Sequence, residues 1–263
     1  MITPDSLRRR EYKYLISEES AERIRRFIRG ICIVDEHAAR TGGRYLTDTL
    51  YLDTLQLHSY RATIENSPDR AKLRIRRYPS AGPGGPVFFE VKRRVSESIL
   101  KTRGSFTGDW QRLLLDTDPE ILAQVPAKSR PAIDNFLCHH RQLPMQPCVL
   151  VRYEREPYAS EIDDYARVTF DRQLVFQRPA ELSLEPVDDH WISIDDAVGQ
   201  RGLMPFHSAV VLELKFTSLV PDWMRRMVHS LDLQRLAFCK YTRSVEAMYR
   251  VPGWRIARAG LRT

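Results

Sequence analysis

Along this chain apolar residues recur at every second position, in short runs separated by turn-forming residues. Side chains on a strand alternate faces, so such runs predict half-buried β-strands. Eight are legible, at residues 9–15, 44–53, 71–78, 87–94, 99–106, 148–158, 166–176 and 208–217, each rich in β-branched or aromatic residues. Helical spacing intervenes between them. Ser17 suits an N-cap, Ala21, Ile24, Ile28 and Ile31 keep a helical apolar stripe, and Gly30 suits its end. Residues 119–141 read as a helical insertion broken near Pro126 and Pro131, and 221–231 as a helix with Met224, Met227, Val228 and Leu231 on one side. The GPGGP run at 82–86 is the clearest turn.

Eight strands joined by short links tend to close and so remove their exposed edges. The predicted fold is therefore α+β, a closed eight-stranded antiparallel β-barrel with flanking helices. With 263 residues, 43% of them hydrophobic, the chain can fill one such domain, expected over 1–250. Residues 251–263, with Arg255, Arg258 and Arg262 and little periodicity, read as a basic tail. Cys32, Cys138, Cys148 and Cys239 form no Cys-x-x-Cys pair, and no apolar run approaches 18 residues. A reduced, cytoplasmic protein is expected, with room for a peripheral association with a membrane.

Charge then changes the picture. Lys and Arg number 41 against 34 Asp and Glu, a net +7 that favours anionic partners. Alternation places these charges in sets that share a face: Arg9, Glu11 and Lys13; Lys72, Arg74 and Arg76; Glu90, Lys92 and Arg94; Lys101 and Arg103. Arg152, Glu154 and Glu156 follow, then Arg167, Thr169 and Asp171, then Glu213 and Lys215. The residues between them, such as Leu73 and Ile75 or Leu212 and Leu214, are apolar. For any one strand this is equally the pattern of an ordinary sheet with a solvated face. Over many strands the charges are mostly basic, whereas a solvated face mixes signs. If they point inward, two like charges about 5 Å apart repel by roughly 3 kcal/mol at an effective dielectric near 20. A chain of phosphates would supply the missing counter-charge.

Glu213, in VVLELKF beside Lys215, is the candidate metal carboxylate; a salt bridge to a neighbouring lysine accounts for it equally well. No phosphate-binding glycine loop, no HExxH and no GxSxG is present. His139 and His140 fall in the helical insertion, where surface histidines are the default. Trp110, Trp191, Trp223 and Trp254 interleave with no basic run and read as core or lid residues.

Nine segments in order then carry a resemblance: REYKY at 10–14, LTDTLYLDT at 46–54, KLRIRRY at 72–78, FFEVKRR at 88–94, LKTR at 100–103, VRYER at 151–155, RVTFDR at 167–172, VLELKF at 211–216 and KYTRS at 240–244. Over roughly residues 8–250 the chain resembles the catalytic domain of the vacuolar transporter chaperone (VTC) polyphosphate polymerases, within the triphosphate tunnel metalloenzyme superfamily. The resemblance implies a tunnel in which the γ-phosphate of ATP is added to inorganic polyphosphate, with Mn²⁺ or Mg²⁺. It implies Arg74, Arg76, Lys92 and Lys13 as catalytic, Lys101, Arg152, Arg167 and Lys240 as phosphate-binding, and Glu213 as the metal ligand. No nucleic acid partner is expected. Many relatives in the wider superfamily, thiamine triphosphatases and class IV adenylate cyclases among them, begin with E-x-E-x-K, where this chain has Arg9 in place of the first glutamate. The eukaryotic polymerases also carry a regulatory domain and a membrane-spanning region, so transport by this chain would need a separate membrane partner.

Overall fold

The computed structural model describes residues 10–96, 98–115, 118–187, 189–194, 210–217 and 219–249. Arg9, the start of the last predicted strand and the basic tail lie outside them. The strands are β1 (Arg10–Ile16), β2 (Cys32–Val34), β3 (Tyr45–Asp53), β4 (Asp69–Arg77), β5 (Val87–Val95), β6 (Ser98–Phe106), β7 (Gln146–Ser160), β8 (Ala166–Gln177), β9 (Ile192–Ser193) and β10 (Val210–Phe216). The helices are α1 (Glu18–Ile28), α2 (Glu36–Ala39), α3 (His58–Ile64), α4 (Trp110–Leu115), α5 (Pro119–Ala123), α6 (Arg130–Gln142), α7 (Asp222–Ser230) and α8 (Lys240–Met248).

All eight predicted strands form, and they make one antiparallel sheet in the order β1-β10-β8-β7-β3-β4-β5-β6. The short β2 and β9 pair with β7 and β8 and bring the sheet to ten strands. The expected closure does not occur: β1 and β6 end the path and are not hydrogen-bonded to each other. An ion pair crosses the gap instead, from Lys92 on β5 to Glu11 on β1 at 3.8 Å. Across this gap Lys92 feels the opposite charge of Glu11 more strongly than the like charge of Lys13.

The apolar alternates face outward, under the helices. Leu50, Leu73, Ile75, Phe89 and Phe106 pack against Trp110 of α4 and Ile133 and Phe136 of α6. Gly104 lets α6 approach β6 closely, since a Cβ there would stand 2.8 Å from the Ser129 carbonyl oxygen and Ile133. On the other flank Val168, Phe170, Leu212, Leu214 and Phe216 pack under Ala21, Ile24 and Ile28 of α1 and Trp223, Met224 and Met227 of α7. The Ser17 hydroxyl accepts the Ser20 N–H at 3.1 Å, the cap that the sequence predicts for α1. The predicted break in the helical insertion falls at Pro126. Pro131 instead sits in the first turn of α6, where its missing N–H has no intrahelical partner to lose.

A third apolar cluster lies on the concave side. There α8, which the sequence reading leaves out, packs Tyr241 and Val245 against Val149, Val151, Leu174, Phe176 and Val211. Tyr241 stacks on Tyr51 at 5.1 Å and donates to Asp53, so α8 covers the Asp53 end of β3. Among the described residues no helix is long and apolar enough to cross a membrane.

Candidate anion-binding site

The strand registers fix which side chains share the concave face. Arg74 stands opposite Glu90 and Tyr51, Lys72 opposite Lys92, and Lys92 opposite Lys101. Lys13 stands opposite Glu213, and Arg155 opposite Asp171. Ten basic side chains (Lys13, Lys72, Arg74, Arg76, Lys92, Lys101, Arg103, Arg155, Lys215 and Lys240) thus gather around four carboxylates, Glu11, Glu90, Asp171 and Glu213.

The carboxylates organise the cations into two groups. Glu90, 1% exposed, takes Arg74 at 2.6 Å, Lys101 at 3.4 Å, Arg103 at 3.5 Å and Arg76 at 3.9 Å. Glu213, 4% exposed, takes Lys215 at 2.7 Å, Lys240 at 3.2 Å, Arg155 at 3.3 Å and Lys13 at 3.4 Å. Asp171 is fully buried, binds Arg155 through both oxygens at 2.7 Å and also receives Lys240. Burial alone would raise the Glu213 carboxyl, but Lys215, Lys240, Lys13 and Arg155 hold it well below the usual carboxylate range. Burial likewise opposes the Glu90 charge, and Arg74, Arg76, Lys101 and Arg103 override it. The surplus shows at Lys101, half-exposed at the rim. Desolvation there and the like charges of Arg74, Arg76 and Arg103 push its ammonium down to about 7, against the pull of Glu90.

Of the predicted site residues, Lys13, Arg74, Arg76, Lys92, Lys101, Lys240 and Glu213 are brought together on this face. Arg167 lies at its rim, half-exposed and 3.5 Å from Asp35. Arg152 does not join them. It pairs with Asp48 on the outer face through both oxygens, at 2.7 and 2.8 Å, and stacks over Trp191. Arg155 occupies the inner place instead. Alternation put Arg152 and Glu154 on one face correctly but could not say which. Val149, Leu150 and Val151 are buried on both sides of β7, so no apolar face distinguishes itself. Asp171, Arg103 and Lys215 were visible as alternating charges, and their roles emerge only from the pairing.

The described residues hold no cluster of three or more acidic, histidine or cysteine side chains suited to a metal. Directly across the ladder from Glu213, however, the Thr169 hydroxyl is buried without a hydrogen-bond partner. The donor set suits a hard divalent cation as one carboxylate ligand, with phosphate oxygens and water completing the shell.

A ten-stranded antiparallel sheet with flanking helices and a cation-rich face defines a protein of the α+β class. The particular family follows from the sequence: the VTC domain profile matches residues 8–249, and the chain belongs to the VTC domain family. A Bacillus halodurans protein, provisionally described as an adenylate cyclase, is 13% identical, over 87% of this chain and 92% of that one, with a TM-score of 0.49. A Hippeastrum adenylyl cyclase candidate, HpAC1, described as having a dominant triphosphatase activity, is 12% identical over 90% and 96%, with a TM-score of 0.44. No curated protein matches the chain.

Proposed function

We propose that this chain is a metal-dependent polyphosphate polymerase that transfers the γ-phosphate of ATP to a growing polyphosphate chain. One observation supports the reading above the rest: ten cations share the concave face with four carboxylates, leaving a positive surplus that a linear phosphate chain would neutralise. Arg74 and Arg76, held by Glu90, would grip the equatorial oxygens of the γ-phosphate. Lys13, Lys92, Lys101, Arg155 and Lys240 would hold the flanking phosphates, and Arg167 would meet the chain at the rim. A terminal oxygen of the acceptor attacks the γ-phosphorus, the bond to the β–γ bridging oxygen breaks, and ADP leaves. The acceptor is already an anion, so positioning and charge stabilisation suffice and no general base is required. Glu213 would hold a Mg²⁺ or Mn²⁺ ion, which when bound supplies further positive charge to the phosphate oxygens.

The test is direct. Purified chain incubated with ATP and Mn²⁺ or Mg²⁺ should yield a ladder of polyphosphates on a resolving gel. Free phosphate alone would make it a triphosphatase in the same sheet, and binding without turnover would make it a polyanion-binding module.

A further inference from the structure

At the end of the concave face opposite α8 the charges give way to rings. Tyr45, at the other end of β3 from Asp53, stands opposite Arg155 in the ladder, and Phe88 stands opposite Arg76. His37 of α2 packs edge-on against Tyr45 at 4.7 Å, Tyr45 against Tyr78 at 5.4 Å, and Tyr78 against Phe88 at 5.4 Å. The Arg103 guanidinium lies 3.9 Å over the Phe88 ring and donates to the Tyr78 hydroxyl at 3.1 Å. His37 is exposed, and Tyr45, Tyr78 and Phe88 are only half-buried. A core cluster would be closed to solvent, and a bare phosphate chain offers aromatic faces nothing to pack on. An organic group attached to a phosphate chain offers both.

We propose that His37, Tyr45, Tyr78, Phe88 and Arg103 form a docking site for the nucleobase of the nucleoside triphosphate donor. This rests on the reading of a nucleoside triphosphate as substrate. The triphosphate runs inward past Arg76 and Arg155, and the base stays at the mouth, stacked on rings and the guanidinium plane. Because α8 fills the far end, the nucleotide enters phosphate-first and the base remains where the rings are.

The experiment compares two probes on one set of variants: ATP, and inorganic tripolyphosphate, which has no base. Tyr78→Ala should weaken ATP about tenfold, the order expected for losing one stacking partner, and leave tripolyphosphate affinity unchanged. Tyr78→Phe, which keeps the ring, should bind ATP as the wild type does. Unchanged tripolyphosphate binding also shows that the variant is folded. Equal weakening of both probes in Tyr78→Ala, or no change in either, overturns the base site. A wild-type protein that binds tripolyphosphate and not ATP overturns it too while leaving a polyphosphate function standing. Binding of neither probe removes the functional reading itself.

Discussion

Two arginines three residues apart on β7 make nearly the same pair and do different things. Arg152 grips Asp48 through both oxygens on the outer face, and Arg155 grips Asp171 through both oxygens on the inner face, with bonds of 2.7 to 2.8 Å in each. Their surroundings differ. Asp48 also takes Arg77, which Glu185 holds from the other side, so the outer group contains as many acids as arginines. Arg155 shares its carboxylates with Lys240, and Glu213 beside it faces Lys13 and Lys215 as well. Bond geometry therefore does not separate a brace from a binding group. Local charge balance does: where the pairing closes, the arginine holds two strands together, and where cations remain in excess it is available to an incoming anion.

Replacing each arginine separates the two roles. Arg155→Ala should lower transfer from ATP about a hundredfold, the scale of removing one preorganised charged donor, and, being the more buried of the two, should cost at least as much stability as Arg152→Ala. Arg152→Ala should cost stability alone. Its quarter exposure and the remaining Arg77 reduce the usual penalty of a broken buried pair to about 2 kcal/mol of stability, with activity close to normal. Denaturant midpoints and initial rates on the same preparations decide it. Comparable losses of activity in both variants would erase the contrast.

Glu213→Gln probes the surplus from the acidic side. Removing one negative charge beside four cations should tighten metal-free tripolyphosphate binding several-fold through the added positive field, while metal-dependent transfer falls about tenfold or more. A parallel loss of both would make Glu213 a structural brace like Asp48. Titration calorimetry with EDTA present, set beside rates in Mn²⁺, separates these outcomes.

The legibility of the molecule in its sequence divides along the same line. Strands β4, β5 and β10 were readable because their apolar alternates, Leu73 and Ile75, Phe89 and Val91, Leu212 and Leu214, pack under helices and leave the charges a single face. On β7 both faces are apolar, so alternation alone does not separate Arg152 from Arg155. The open edge is not legible either, since closure needs backbone pairing between β1 and β6, strands far apart in the sequence. Helix α8 is not legible in the sequence because its buried surface mixes Lys240, Thr242 and Ser244 with Tyr241, Val245 and Met248, so no apolar stripe marks it. The mouth aromatics, His37, Tyr45, Tyr78 and Phe88, come from four separate elements or their ends, and only the fold assembles them.

The pH dependence of binding is the effect most specific to the inner face. An ammonium pushed down to about 7 is half deprotonated at neutral pH, whereas a bound phosphate favours the charged form. Above pH 7, where a terminal phosphate with a pKa near 6 is already ionised, tripolyphosphate affinity should fall roughly tenfold by pH 8.5 as Lys101 loses its proton. Glu90, Arg74, Arg76 and Arg103 face Lys101, and Lys92, its own ammonium pushed down by burial, stands across the ladder. Among the described residues, Cys239 is also brought near this pH. Burial would raise the Cys239 thiol, but Lys72, a hydrogen bond from Thr242 and Lys13 bring it down to about 7, so it gains negative charge on the same face as Lys101 loses positive charge. Both changes weaken anion binding in the same direction. Lys101→Arg, which stays charged, should flatten most of the slope, and Cys239→Ser should remove the remainder. A slope unchanged in Lys101→Arg and abolished in Cys239→Ser would move the titration to the thiol. Cation surplus would then be read by a group near the α8 end of the face, and the rim lysine would be an ordinary charged contact.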